Sequence, residues 1–152
     1  KLIAEKGKAA LDAGLKLILC CGENQEKRDS GKATDHVLRQ IKASLPADIE
    51  DPVERLTIAY EPIWAIGSGK AASVEDIVEM HTAIRAFLVK TFGEEDGAGI
   101  RIIYGGSVNA ENAAEIIAGD EVGGALVGGA SLSAESFMNI VLAVQEVIAN
   151  RD

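Results

Sequence analysis

The sequence predicts an α/β fold built on a parallel sheet, and three features predict it. Short apolar runs alternate with segments of helical periodicity in four successive β-then-α units. The runs are almost continuously apolar, as in strands covered on both faces. The polar and glycine-rich motifs all follow strands, at the end of the sheet where α/β folds build their sites.

The chain opens on a helical pattern from Lys1 to Gly14, with Leu2, Ile3, Ala9, Ala10 and Ala13 apolar, and no initiating Met, cap or preceding strand. It is therefore expected to begin mid-unit. Leu15 to Cys21 reads as the first strand, ending at Gly22-Glu23, and residues 24–34 read as a polar loop. Val37, Leu38, Ile41 and Leu45 then recur at helical spacing until Pro46 closes the helix. The second strand spans 56–61, with Leu56 and Ile58 apolar, and Pro62 stops it. A helix follows from about Ser73, its N-cap, with Asp76 three residues on as a shortened capping box. Its inner stripe is Val74, Ile77, Val78, His81, Ile84 and Leu88. The third unit pairs a strand at 100–104 with a helix at 110–118. The fourth pairs Ala125-Leu126-Val127 with a helix at 134–149, whose face is Phe137, Ile140, Val141, Val144 and Ile148. Right-handed crossovers join such units. Four parallel strands leave two apolar edges and do not close a barrel, which takes about eight, so the chain reads as half of a larger fold.

At 152 residues, 47% hydrophobic and 26% charged, the composition is that of one soluble globular domain with a sizeable core. The net charge of −9 disfavours nucleic acid and anionic membranes as general partners, while leaving room for a small anion held locally. No apolar run reaches the ~18 residues of a membrane span and no leader pattern opens the chain, so a cytoplasmic location is expected. Cys20 and Cys21 are adjacent, which fits neither a CxxC redox pair nor metal-ligand spacing. Both are expected as buried, reduced thiols.

Chemistry concentrates at Ala59-Tyr60-Glu61-Pro62-Ile63-Trp64-Ala65-Ile66-Gly67-Ser68-Gly69-Lys70. Glu61 stands at the end of a rigid apolar strand. After it come a stiff Pro62, an apolar anchor at Trp64 and a Gly67-Ser68-Gly69 tip able to swing or to offer bare backbone N–H groups. A carboxylate base beside a lid is a catalytic arrangement. A dinucleotide fingerprint fits poorly, because the strand ends six residues before Gly67 and the next strand ends in Tyr104-Gly105-Gly106 rather than an acid. A P-loop fails because Ala71 follows Lys70 and Trp64 stands where the first glycine belongs.

These residues resemble the triosephosphate isomerase family. The segment Ala59 to Gly69 resembles its active-site signature, with Ser68 where Thr is more usual. Tyr104-Gly105-Gly106-Ser107-Val108 and Ala125-Leu126-Val127-Gly128-Gly129-Ala130-Ser131-Leu132 resemble its two later phosphate-loop motifs, and Cys20-Cys21-Gly22-Glu23 its fifth-strand motif. The likeness runs in order from Lys1 to about Ile148. It implies a parallel (βα) repeat forming the second half of a TIM (β/α)8 barrel: a single partial domain over 1–152, with helix four and strands five to eight present and the four N-terminal strands absent. With those strands go the Asn and Lys of the first βα loop, the electrophilic His after strand four and the Glu that follows it. His36 and His81 lie in helical segments and are expected to be structural or surface groups.

The resemblance implies interconversion of dihydroxyacetone phosphate and D-glyceraldehyde 3-phosphate through an enediolate, with no metal or cofactor, in glycolysis and gluconeogenesis. Glu61 takes the place of the general base, a role that calls for a dry pocket. The lid runs over Pro62, Ile63, Trp64, Ala65, Ile66, Gly67, Ser68, Gly69, Lys70, Ala71 and Ala72, with hinges at 62–64 and 70–72. Its latch contacts join Tyr104 to the Ala72 backbone and Ser107 to the Gly69 backbone, while Trp64 moves towards Glu23. Gly128 and Gly129 hold the phosphate, since N–H groups at residues without a Cβ can approach a dianion closely at a helix start, and Gly67 and Ser107 add donors from the other two loops. Where the family has an acid before the last strand this chain has Gly123, with Asp120 and Glu121 nearby, which leaves the partner of Arg85 open. The whole enzyme is expected as a homodimer. The isolated chain is expected to be inactive, and to pair with a missing N-terminal half; the alternative reading is a non-catalytic phosphate-binding or structural half-barrel.

Overall fold

The computed structural model describes residues 1–66 and 71–149. Three parallel strands, β1 (Leu17–Cys21), β2 (Leu56–Tyr60) and β3 (Arg101–Tyr104), lie side by side in the order β1-β2-β3. Leu19 is in register with Ile58, and Ile58 with Ile102. The helices are α1 (Leu2–Asp12), α2 (Gln25–Asp29), α3 (Ala33–Ser44), α4 (Pro52–Arg55), α5 (Val74–Phe92), α6 (Glu94–Gly99), α7 (Ala113–Ala118) and α8 (Ala134–Ala149). Short 3₁₀ turns cover Ile63–Ala65 and Gly129–Ser131.

Strand alternation sorts the side chains. Leu19 and Cys21, Leu56, Ile58 and Tyr60, and Ile102 and Tyr104 point into the main apolar cluster with Val37 and Ile41 of α3 and Ile77, Met80, Ile84 and Leu88 of α5. Consecutive residues face opposite ways, so the two cysteines divide: Cys21 is buried, whereas Cys20 is exposed, as is Ile18 on the same face. This corrects the expectation of two buried thiols. Burial, then the charges of Cys20, Glu23 and Glu61, push the Cys21 thiol up to about 12. On α5 the stripe also takes in Met80, which is buried, while Val74 and Val78 are only half-buried.

The fourth strand is the main correction. Ala125 forms only an isolated parallel bridge to Tyr104, closed by Tyr104 N to Gly124 O at 3.0 Å and Leu126 N to Tyr104 O at 2.8 Å. Three residues between glycine pairs, paired along one edge, sustain no longer ladder. α8 is correspondingly loosely packed. Ile140 is its buried residue, while Phe137, Val141 and Ile148 are exposed along an apolar groove of about 590 Å³.

Three short helices carry no apolar stripe and escape sequence periodicity. Residues 25–29, expected as loop, form α2, whose start is capped by Asn24 Oδ1 accepting from Lys27 N at 3.0 Å. α4 follows Asp51, held at φ 50, with Pro52 in its first turn. α6 packs so tightly on α5 that a Cβ at Gly97 would lie 2.4 Å from Val89 Cα.

Candidate active site

The ladder continues past the strands and sets the site's geometry. Glu61 N donates to Cys21 O at 2.7 Å and Gly105 N to Tyr60 O at 2.8 Å. The segments after β1, β2, β3 and Ala125 therefore emerge at one end of the sheet. Glu61, Ile66, Ser107, Gly128 and Gly129 border one cleft of about 530 Å³. A Cβ at Gly128 or Gly129 would meet nothing within 4 Å, so both backbones face open space. Gly67, Ser68, Gly69 and Lys70 lie outside the described residues.

Behind the cleft a second group of the expected residues is bonded together. The Glu23 carboxylate is fully buried, and its Oε1 accepts from Trp64 Nε1 at 2.9 Å and from Tyr60 OH at 3.1 Å. Ile63 N donates to Glu23 O at 3.0 Å, so Glu23 grips the 63–65 turn by main chain and side chain. Burial and then the neighbouring Glu23 charge raise the Tyr60 phenol well above its ordinary value. Ala72 N donates to Tyr104 OH at 3.3 Å, and burial raises the Tyr104 phenol. The Ser107 hydroxyl donates to Ala65 O at 2.7 Å; its expected Gly69 partner is outside the described residues. Pro62 and Ala65 are buried, while Ile63, Ile66 and Ala71 are exposed.

Cys20 stands on the Glu61 face of the sheet, and the partial desolvation of its thiol followed by the Glu61 charge raises it. His81 is fully buried, its Nδ1 3.0 Å from Glu121 O and its ring edge-on to Tyr60 at 5.9 Å. Arg85 finds its partner in Glu121, with Nε donating to Oε2 at 2.8 Å, and Nη1 donates to Gly97 O and Ile100 O, each at 2.6 Å. Among the described residues no group of three or more His, Cys, Asp or Glu is placed to hold a metal ion, and no helix is long and apolar enough to cross a membrane.

Sequence reasoning missed several residues that shape the site. Gly105 packs on the Glu61 side chain, where a Cβ would come within 2.6 Å of Cγ. Asn112 Nδ2 donates to Ser107 O at 3.1 Å, and Asn109 N donates to Asn112 Oδ1 at 2.8 Å, which fixes the loop carrying Ser107. The Asn-x-x-Asn spacing just before a helix was the available signal.

The family model described as triosephosphate isomerase matches residues 1–144. The chain belongs to the triosephosphate isomerase family. It is 52% identical over 142 residues to the triosephosphate isomerase of Caulobacter vibrioides, covering 93% of this chain and 55% of the relative. To that of Thermus thermophilus it is 49% identical over 141 residues, covering 92% and 56%. The crystal structure of triosephosphate isomerase from Bartonella henselae superimposes with a TM-score of 0.84 at 39% identity, covering 94% of this chain and 56% of that one. The parallel α/β architecture is thus part of a TIM barrel, and the chain spans about half the length of the curated relatives it matches.

Proposed function

We propose that this chain supplies the catalytic base and phosphate-binding loops of a triose-phosphate isomerase, interconverting dihydroxyacetone phosphate and D-glyceraldehyde 3-phosphate. The observation that carries the reading is the shared cleft: the Glu61 carboxylate borders the same space as Ser107 and the bare backbones of Gly128 and Gly129. Glu61 removes a proton from the carbon next to the substrate carbonyl, giving an enediolate, and returns it to the neighbouring carbon. Gly128, Gly129, Ser107 and Gly67 hold the phosphate, whose attachment orients the reacting carbons in front of Glu61. Residues 62–72 act as the lid, with Trp64 on Glu23 and Ala72 on Tyr104 as its anchors. No metal or organic cofactor takes part.

On this reading the enzyme works in the cytoplasm, in glycolysis and gluconeogenesis, as a homodimer, and residues 1–152 form part of one barrel domain. The electrophilic groups come from a polypeptide matching the other half of the relatives' length, so residues 1–152 alone turn over no substrate. A coupled isomerase assay tests this directly. Turnover is expected only when that complementary half is present. Activity of the 152 residues alone at the rate of a whole enzyme would overturn the division of labour.

A further inference from the structure

The Ser73–Asp76 capping box forms only in part. Asp76 N donates to Ser73 Oγ at 3.1 Å, but the Asp76 carboxylate turns away to pair with Arg28 of α2, 48 residues earlier. Arg28 is 18% exposed and reaches three further groups. Nη1 lies 4.0 Å from Glu23 Oε1, Nη2 lies 3.9 Å from Glu79 Oε2, and Cζ sits 5.8 Å from the centre of the Trp64 ring. One guanidinium thus ties the start of α5 to both partners of the Glu23–Trp64 hydrogen bond.

We propose that Arg28 is a positioning residue for Glu61, acting through Glu23 and Trp64 and itself held by Asp76. The inference rests on the reading of Glu61 as the base. Pro62, directly after Glu61, has no N–H, so the first backbone donor that fixes the turn is Ile63 N, which donates to Glu23 O at 3.0 Å. The second tie is the Trp64 indole on Glu23 Oε1 at 2.9 Å. Glu61 N is held by Cys21 O at 2.7 Å, and Glu23 fixes the turn directly after it, so the two together set the direction in which Glu61 leaves the sheet. Glu23 is fully buried and its Oε2 has no hydrogen-bond partner among the described residues. Beyond the Tyr60 and Trp64 hydrogen bonds, a buried carboxylate is stabilised by a cation close by, and Arg28, 4.0 Å from Oε1, is that cation. Arg28 in turn needs a fork: its planar guanidinium meets carboxylates on two sides while lying over an aromatic ring, which a lysine ammonium cannot reproduce. Without Asp76 the α5 acid still paired with Arg28 is Glu79, 70% exposed, which draws Arg28 outward and away from Glu23.

The test uses the full-length enzyme that contains this chain. Asp76→Asn keeps the backbone cap on Ser73 and removes the charge that holds Arg28. It is expected to lower kcat about tenfold with KM nearly unchanged, since a displaced base harms the chemical step rather than binding. Asp76→Glu restores most of that loss, and Arg28→Lys lowers kcat further. If Arg28→Lys does not fold, Asp76→Asn and its Glu rescue decide alone. A parent-like kcat in Asp76→Asn with only a lowered melting temperature would make the tie merely structural and overturn the proposal. Parent enzyme without isomerase activity, or Glu61→Gln with parental turnover, overturns the assignment of Glu61 and this inference with it.

Discussion

Glu61 and Gly105 touch across the ends of β2 and β3: a Cβ on Gly105 would lie 2.6 Å from Glu61 Cγ and 3.1 Å from Oε1. What must give way is the flexible arm of a side chain, not the sheet. Gly105→Ala is therefore expected to cost stability only about 1 kcal/mol while lowering kcat about 10²-fold by displacing the carboxylate. Steady-state kinetics of the full-length enzyme that contains this chain, beside thermal unfolding, checks this. A normal kcat would mean that the Glu61 position seen here is not the one that matters.

Gly22 presses on the same residue from the other side with the opposite consequence. Its added Cβ would lie 1.7 Å from Glu61 O, a backbone atom that cannot swing away. Gly22→Ala is expected to destabilise by about 3 kcal/mol or more, read as a lowered urea midpoint. An unchanged midpoint would mean that the β1 and β2 ends separate more easily than their ladder bonds suggest.

Arg85 closes the lower end of the fold with Glu121, Gly97 O and Ile100 O. Arg85→Met strands two carbonyls and a carboxylate, and a loss of about 3 kcal/mol is expected. Glu121→Gln leaves the two carbonyl bonds intact and is expected to cost about 1 kcal/mol or less, as for a partly exposed pair. Urea denaturation of both variants ranks them; the reverse order would show the ion pair, not the carbonyls, to be the main contribution.

His81 makes the fold sensitive to acid. Glu121 O accepts from its Nδ1, and the buried Nε2 has no hydrogen-bond partner among the described residues. Burial lowers its pKa from 6.5 to about 4, against the opposing pull of Glu121. Below pH 6.5 the unfolded chain takes up a proton that the folded one refuses until about pH 4, so stability falls across that window as pH drops. The shift corresponds to a loss of about 3 kcal/mol. His81→Gln should flatten this part of the pH profile of unfolding. A variant with the parent's slope would assign the acid sensitivity to the carboxylates.

Much of this was legible in the sequence because the signals are local. Pro62 ends β2 one residue after Glu61, Ser73 caps α5 as its spacing predicts, and the glycine motifs follow their strands. What was not legible depends on contacts between distant segments. Arg28 meets Asp76 across 48 residues, and nothing near either announces the other. Arg85 meets Glu121 across 36 residues, in the turn before Ala125 where Glu121 adopts φ 61. α6, with the sequence EEDGAG, has no stripe, and its helix is explained by the close fit of Gly97 on Val89. The fourth strand looked equal to the others, because its composition cannot show that it is paired along one edge alone.

The central claim is that the Glu61 carboxylate moves the proton. The most direct measurement is kcat of the full-length enzyme containing this chain, with Glu61→Gln beside the parent, each verified as folded. Gln keeps the shape and cannot act as a base, so a fall of about 10²–10⁴-fold is predicted, with triose phosphate still bound. Turnover by Glu61→Gln at the parental rate would contradict the account.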